Sequence, residues 1–324
     1  MTSVPTLADC QAAARTIAGR VHRTPTFSSR ALGLPLGREV FLKAELFQRT
    51  GSFKLRGATN RVATMSAAER AAGVVTASAG NHAQAAALAC AQEGVDVVVF
   101  MPASASSAKV AATRDYGATV DLSSRDGAEA LARMQQLARD SGRTILHPFD
   151  DPRVVAGAAT VGLEICEQVD APGAVLVPAS GGGLLSGVAV AVKARAPDCR
   201  IIAVQPAHTA TLAASPNGAR PVDPATARSA TIADALTAPA MGALPLAICE
   251  RLVSEVVHVS EDEIGAGMRF LYSRAKLACE AGAAVGVAAL LAGSVADLGD
   301  GPVVAVVSGG NIAGDLAGAV LAGG

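Results

Sequence analysis

Short apolar runs alternate with longer alanine-rich stretches along most of the chain. Eight runs, rich in valine, have the length and composition of buried strands and cover residues 40–44, 73–76, 95–100, 118–122, 144–147, 174–177, 201–205 and 303–307. The stretches between them are long enough for crossover helices. Strands and helices that alternate in this way are typical of parallel sheets. We therefore predict an α/β fold with parallel-rich twisted sheets and helices on both faces.

Two sequence patterns mark helix starts. Ser66 with Glu69, and Ser260 with Glu263, form capping boxes, in which the two side chains bond backbone amides at the start of the helix. The stretch 206–245 contains six prolines and predicts loops with short helices. A chain of 324 residues is long for one core, so we expect two lobes or one large α/β unit.

Composition narrows the class of function. Hydrophobic residues make up 51% of the chain, aromatic residues only 3%, and tryptophan is absent. So few aromatics argue against stacking platforms for single-stranded nucleic acid. Lysine plus arginine (27) nearly balance aspartate plus glutamate (28) without a long basic run, so we expect neither nucleic acid nor membrane as a partner. These features favour small-molecule chemistry.

One uncharged stretch, 171–192, is long enough to cross a bilayer. Pro178 and the glycines at 181–183 interrupt it, so it predicts a strand, a turn and a helix instead. The six cysteines are spread singly without a C-x-x-C pair, which favours a reducing compartment. The N-terminus shows no basic segment followed by an apolar one, and we expect a soluble cytoplasmic protein.

A glycine-rich loop, Ser180-Gly-Gly-Gly-Leu184, lies between a predicted strand and an apolar helix. Glycines at such a junction let the backbone approach a ligand, and the amides at a helix start favour an anion such as phosphate. The loop has neither the Rossmann nor the P-loop fingerprint. Taken alone, a tight turn without a ligand is an equally good interpretation.

Lys54 stands beside Phe53, just after a Gly-Ser helix start and among apolar neighbours. Partial desolvation would lower the pKa of its amine and make the neutral form available for a Schiff base. The alternative is an exposed helix lysine. A second loop, from Ser78 to His82, again joins a strand to a helix, and a third follows strand 303–307 at Ser308. Since ligands in parallel α/β folds bind beyond the carboxyl ends of strands, we expect one site.

The segments GSFKLRGA, SAGNHAQ, SGGGL, TIAD and SGGN occur in this order over nearly the whole chain. Together they resemble the threonine dehydratase and serine racemase group of fold-type II pyridoxal-phosphate (PLP) enzymes, in the tryptophan synthase β-like superfamily. The resemblance implies PLP as cofactor, bound to Lys54. It also implies a large PLP-binding domain from residues 1–65 and 150–324 and a small mobile domain from 66–149, in a two-lobed fold.

The resemblance assigns a role to each loop. Lys54 forms the Schiff base and is the catalytic base, Phe53 packs by the cofactor, and Ser308 faces the pyridine nitrogen. The phosphate is cradled by backbone amides of Ser180, Gly181, Gly182, Gly183 and Leu184. Asn81 bonds the ring oxygen O3′. The substrate lies against Ser78, Ala79, Asn81 and His82, although His82 could instead be a capping or core histidine.

The implied reaction is α,β-elimination of a small β-hydroxy-α-amino acid, such as L-threonine or L-serine, to a 2-oxo acid and ammonia. Ala79 stands where racemases of the group have a second serine as acid and base, so racemisation is disfavoured. His82-Ala83 replaces the Asn-Thr-Gly of cysteine-synthase relatives, which disfavours β-replacement. A hydroxyaspartate or hydroxyectoine-pathway dehydratase, or a non-catalytic PLP-binding homologue, remains an alternative.

Several positions depart from the group's pattern. Gln205 replaces a glutamate that binds a divalent cation in racemase-like members, so we expect no metal. Added methyl groups in 156–160, at Ala235 and in 281–284 would narrow a pocket near the cofactor or substrate and retune specificity. Glu280 matches an acid near the cofactor, with a helix cap as the alternative. We further expect a homodimer or a higher homo-oligomer.

Overall fold

The computed structural model describes residues 3–212 and 231–323. The strands in these ranges are β1 (Thr26–Ser28), β2 (Val40–Ala44), β3 (Val74–Ala77), β4 (Val97–Pro102), β5 (Thr119–Ser124), β6 (Thr144–Ile145), β7 (Ala174–Pro178), β8 (Arg200–Pro206), β9 (Glu255–Val259) and β10 (Val303–Val307). The helices are α1 (Leu7–Ile17), α2 (Arg30–Leu36), α3 (Lys54–Ala63), α4 (Ala67–Ala72), α5 (Asn81–Gln92), α6 (Ser107–Asp115), α7 (Gly127–Ser141), α8 (Pro152–Gln168), α9 (Gly183–Arg195), α10 (Ala243–Leu252), α11 (Glu261–Phe270), α12 (Ala281–Ala292) and α13 (Gly314–Ala322).

The strands form two sheets. The larger has the order β1-β2-β10-β7-β8-β9, and all its pairs are parallel except the antiparallel pair of β1 with β2. The smaller has the order β5-β4-β3-β6 and is parallel throughout. The predicted parallel-rich α/β fold is confirmed.

Each of the eight predicted strands is present, but β1 and β9 were not predicted. β1 is a three-residue edge strand with two exposed residues, and β9 carries a glutamate and a histidine among its valines. β6 is shorter than predicted. The carbonyl of Leu146 accepts bonds from the side chains of Thr76 and His82, and the chain leaves the sheet there.

The uncharged stretch 171–192 folds as predicted, into β7, a glycine turn and α9. In the described ranges, no helix has the length and hydropathy needed to span a membrane. Both predicted capping boxes are confirmed, at Ser66 and Ser260. A third begins α1, where Thr6 and Asp9 bond reciprocally, and it was not predicted because Asp rather than Glu stands at the third position.

Helices cover both faces of the larger sheet. Because successive side chains of a strand point to opposite faces, β7 supplies Val175 and Val177 to the core under α8 and α9, and Leu176 to the core under α11 and α12. Ala281, Ala283 and Ala284 belong to the second of these cores. This arrangement leaves the carboxyl edge of the strands free for the loops.

The smaller sheet builds its own core, and α3 is part of it. Leu55, Ala58 and Val62 of α3 pack with α5 and with β3 and β4, while α7 covers the opposite face. The sheet lies within residues 74–145, inside the predicted small domain. The boundary at residue 65 and the mobility of that domain stay predictions, and α3 contacts the small-sheet core from the other side of that boundary.

The polar side of α3 is anchored by buried ions. The guanidinium of Arg56 donates to Glu45 at 2.7 and 2.8 Å and to Glu164 of α8 at 2.6 and 2.9 Å. Lys43 of β2 donates to Glu164 at 2.6 Å. Lys43, Arg56 and Glu45 are fully buried and Glu164 is nearly so, and Thr160 adds a neutral acceptor for Arg56 at 3.1 Å. The cluster fixes the start of α3 against β2 and α8.

We predict that Arg56→Met lowers the free energy of unfolding by about 3–5 kcal/mol, because Glu45 and Glu164 would keep their burial but lose a partner. Urea-induced unfolding measures this. The matched control is Arg125→Met at the exposed pair with Glu129, where little change is expected. Equal stability of the two variants would contradict the anchoring role.

Candidate active site

The predicted loops after β2, β7 and β10 lie at the carboxyl edge of the larger sheet, and the loop after β3 of the smaller sheet meets them. The amide of Phe53 donates to the carbonyl of Ser308 at 3.1 Å. The Nδ2 of Asn311 donates to the carbonyl of Thr50 and to Oδ1 of Asn81, both at 2.7 Å. Since β2 and β10 are neighbours, their loops meet directly, and Asn311 joins them to the start of α5.

Lys54 opens α3 as a half-buried residue, with its amine in this cluster of loops. The Nζ donates to the carbonyl of Pro148 at 3.0 Å, and it lies 5.2 Å from the ring centre of Phe53 and 5.9 Å from that of Phe149. Burial lowers the pKa of Lys54 to about 8, while the carboxylate of Glu280 opposes the shift. A minor part of this amine is therefore neutral near physiological pH, more than for an ordinary lysine.

A second lysine, Lys43, has its amine held by more hydrogen-bond acceptors than Lys54 has. Burial lowers the pKa of Lys43 as well, but Glu164 opposes that shift from 2.6 Å away. Lys43 also donates to the carbonyl of Thr24 and to Gln168, both at 2.8 Å. Three acceptors thus hold the Lys43 ammonium, whereas Lys54 donates to one backbone carbonyl.

Asn81 connects the loops to an acid. Its Nδ2 donates to both carboxylate oxygens of Glu280, at 2.8 and 3.0 Å. Glu280 precedes α12 but makes no capping bond, so the structure does not support the helix-cap alternative. A Cβ at Gly309 would overlap Oε1 of Glu280, which explains the need for glycine there. Burial raises the pKa of Glu280 to about 7, against the effect of the Asn81 bond.

His82 is a buried histidine in α5. Its Nε2 contacts the carbonyl of Leu146 at 3.0 Å, and since a carbonyl only accepts, the ring proton lies on Nε2. Burial lowers the pKa of His82 to about 3, and the charge of Lys54 contributes, so the ring is neutral. Ser78 uses its hydroxyl to accept from the amide of Gly80 at 3.3 Å. Contact of these residues with a substrate carboxylate stays a prediction.

The glycine-rich loop is sterically restricted. A Cβ on Gly181 would overlap the ring of Phe149, and one on Gly183 would lie 2.9 Å from the Cβ of Phe149. Gly182 has a φ of +90°, and a Cβ there would lie 2.7 Å from Met241. Glycine is required by conformation at one of these positions and by packing at all three.

The start of α9 presents the loop's backbone amides. The first amides of a helix, here Gly183 and Leu184, have no intrahelical acceptor, and such amides suit a phosphate. The Ser180 hydroxyl, a departure from glycine, accepts from the amide of Ala238 at 3.0 Å. That bond ties the loop to the chain ahead of α10.

Gln205 is fully buried at the end of β8 and forms an amide network. Its Nε2 donates to Thr211 at 2.8 Å and to the carbonyl of Ala179 at 3.3 Å, and its Oε1 accepts from the amide of Leu212 at 3.1 Å. Thr211 in turn donates to the carbonyl of Ser180 at 2.9 Å. Within residues 3–212 and 231–323, no cluster of three histidine, cysteine or acidic side chains forms a metal site.

Several alanines that depart from the group's pattern pack in hydrophobic cores. Ala159 packs between α1, α8 and α9. Ala235 faces the start of α12, where a Cβ on Gly282 would lie 3.4 Å from its Cβ. Ala159, Ala281, Ala283 and Ala284 lie in hydrophobic cores, and the expectation that these methyl groups narrow a substrate pocket stays a prediction.

Sequence reasoning missed one part of the site, the connecting segment 146–151 between β6 and α8. Pro148 supplies the acceptor for Lys54, and Phe149 packs on the glycine-rich loop. Asp150 accepts from the first amides of α10 at 3.1 and 3.0 Å, and Asp151 caps α8. The available signal was a His-Pro-Phe-Asp-Asp run directly after a strand, ending in an acidic N-cap before proline.

Comparisons with known proteins agree with this geometry. Residues 17–309 match the family described as "Pyridoxal-phosphate dependent enzyme". The chain is 41% identical to the L-threonine ammonia-lyase of Thermotoga maritima over 95% of its length and 76% of the relative. It is also 41% identical to the catabolic L-threonine dehydratase of Escherichia coli K12, over 91% and 90%. The structure of maize serine racemase superposes with a TM-score of 0.90 at 33% identity, covering 97% of this chain and 95% of that one.

We predict that the Lys54 amine in the cofactor-free protein titrates with a midpoint of about 8, measured by competitive acylation and peptide mass spectrometry across pH. Because Glu280 opposes the effect of burial, Glu280→Gln should lower that midpoint further. Glu250→Gln, an exposed change on α10, is the control and should leave it in place. A midpoint near the ordinary lysine value would refute the burial of this amine.

Proposed function

This chain belongs to the pyridoxal-phosphate-dependent enzyme family, and we propose that it is an ammonia-lyase that converts L-threonine or L-serine into a 2-oxo acid and ammonia. Two relatives that share 41% of its residues are named for the ammonia-lyase or dehydratase reaction of L-threonine, and this chain covers most of their length. One observation carries the proposal. The Lys54 amine, with its lowered pKa, lies where the loops at 78–82, 180–184 and 308–311 come together.

The site residues fit the cofactor. Lys54 offers an amine for the covalent link, and the start of α9 offers amides for a phosphate, beside glycines whose positions exclude side chains. Thr50 Oγ1 and Ser52 Oγ are buried and have no hydrogen-bond partner among the described residues, so polar ligand atoms could satisfy them. The residues that would hold the cofactor are Phe53, Lys54, Asn81, Ser180, Gly181, Gly182, Gly183, Leu184 and Ser308.

The chain itself contributes the base, Lys54, and the groups that orient the amine of that base. When bound, PLP spreads over its ring the negative charge left at Cα of an amino acid after proton loss. The Nζ of Lys54 takes that proton, because its pKa of about 8 keeps part of the amine neutral at the working pH. The carbonyl of Pro148, 3.0 Å away, then accepts from the ammonium. The β-hydroxyl leaves with a proton as water, and hydrolysis of the released enamine, through its imine, then gives the 2-oxo acid and ammonia.

Ala79 favours elimination over racemisation. It lies on the loop between β3 and α5, and its side chain packs against the small-sheet core. Racemisation requires a proton donor on the face of Cα opposite Lys54, and a methyl group cannot serve. The fold does not decide between these reactions, since a serine racemase also superposes closely. The side chain at position 79 distinguishes elimination from racemisation. A homodimer or higher homo-oligomer stays a prediction.

We predict that the wild-type protein releases 2-oxo acid and ammonia from L-threonine or L-serine, and that Lys54→Ala lowers turnover by a factor on the order of 10³ or more. The assay panel contains both amino acids, 3-hydroxyaspartate and the D-isomers, with product chirality measured to detect racemisation. Lys193→Ala, on the outer end of α9, is the control and should retain activity.

Other results of these assays would contradict the proposal or favour one of the alternatives. Undiminished turnover by Lys54→Ala would overturn the assignment of the base. Activity confined to 3-hydroxyaspartate would favour the hydroxyaspartate dehydratase alternative, and silence across the panel with the cofactor bound would favour a non-catalytic homologue. A D-product from an L-substrate would contradict the role given to Ala79.

A further inference from the structure

The imidazole of His147 accepts hydrogen bonds from its own connecting segment. Its Nδ1 lies 3.3 Å from the amide nitrogen of Phe149 and 2.7 Å from that of Asp150. Because backbone amides only donate, Nδ1 is an acceptor and the ring proton lies on Nε2. The side chain of His147 therefore closes a tight turn over residues 147–150, in its neutral form.

That turn fixes the direction of one carbonyl. The amide hydrogen of Phe149 and the carbonyl oxygen of Pro148 belong to the same peptide group, which is planar. Holding the hydrogen of Phe149 on Nδ1 of His147 therefore sets where the oxygen of Pro148 points. It points at the Nζ of Lys54, at 3.0 Å.

We propose that His147 is a positioning residue for Lys54. Its imidazole accepts a hydrogen bond from the Phe149 amide and thereby orients the Pro148 carbonyl toward the Lys54 amine whenever that amine is free. The proposal rests on the proposed function for its catalytic consequence. Its structural consequence, the orientation and proton affinity of the amine, is independent of which substrate is used.

The surroundings of His147 keep the ring in the accepting form. Burial lowers the pKa of His147, and the charge of Lys54 acts in the same direction, while Asp150 and Asp151 oppose both. His82 of α5 also lies close enough for its own proton affinity to depend on His147. The Phe149 ring packs edge-on against the imidazole, with ring centres 4.7 Å apart, and limits its rotation.

The carbonyl matters to Lys54 in two ways. A hydrogen-bond acceptor stabilises the ammonium relative to the neutral amine, so its loss should lower the pKa of Lys54 below about 8. An aimed acceptor also limits the rotation of a long, flexible side chain, and misplacement of a reacting group by about 1 Å can cost about a hundredfold in rate. Both effects act on kcat, since Pro148 meets the amine and not the substrate's binding groups.

The test compares His147→Leu with His147→Asn in the full-length protein. Leucine removes the acceptor, whereas the Oδ1 of asparagine can accept the same backbone hydrogens in an Asx turn. The first readout is the midpoint of Lys54 acylation in the cofactor-free protein. The second is the change in kcat and KM of the holoenzyme, and thermal unfolding records stability for each variant.

We expect His147→Leu to lower the Lys54 midpoint by about one pH unit and to lower kcat by about tenfold to a hundredfold with little change in KM. His147→Asn should recover most of both. If the leucine variant does not fold, His147→Ala takes its place, since it also removes the acceptor.

Two results would overturn the proposal. One is a Lys54 midpoint and kcat unchanged in His147→Leu while only the unfolding temperature falls, which would show a structural role alone. The other is an asparagine variant that folds but behaves like the leucine variant. Because the acylation midpoint needs no turnover, a failure of the proposed function leaves this test intact and the two failures distinguishable.

Discussion

The burial of one amine, the Nζ of Lys54, is the constraint on which this site depends. A lysine deep in a protein loses its hydration, and its pKa falls unless a carboxylate compensates. Burial lowers the pKa of both lysines, but Lys43 faces the carboxylate of Glu164 at 2.6 Å, whereas Lys54 donates to one carbonyl at 3.0 Å. The two lysines lie eleven residues apart in the chain, and the groups that face each amine differ: three acceptors hold Lys43 and one holds Lys54.

The position of α3 makes this possible. Its apolar side, with Leu55 and Val62, belongs to the core of the smaller sheet, and its polar side is held to β2 and α8 through Arg56. Lys54 therefore starts a helix that is fixed on both sides, at the edge where the loops after β2, β7 and β10 meet. Burial of the ions is costly, and their hydrogen bonds connect α3 to Glu45, after β2, and to Glu164 of α8.

Much of this was predictable from sequence, because strands, glycine loops and a lysine beside an aromatic leave local patterns. The continuous apolar run of β7 and the glycines before α9 can be identified in the sequence directly. The acceptor for Lys54 is not, since a backbone carbonyl has no sequence signature and Pro148 is 94 residues away along the chain. The Glu280 bond to Asn81 and the Gln205 network likewise depend on long-range packing, as does the edge strand β1.

The central claim is that Lys54, and no other lysine, carries the cofactor. The alternatives in the chain are few: Lys43, Lys109, Lys193 and Lys276. Borohydride reduction of the holoenzyme followed by peptide mass spectrometry locates the attached pyridoxyl group directly. The account predicts the label on the peptide that contains Lys54, in a ratio of about one per chain. A label on Lys43 or on any other lysine would contradict it.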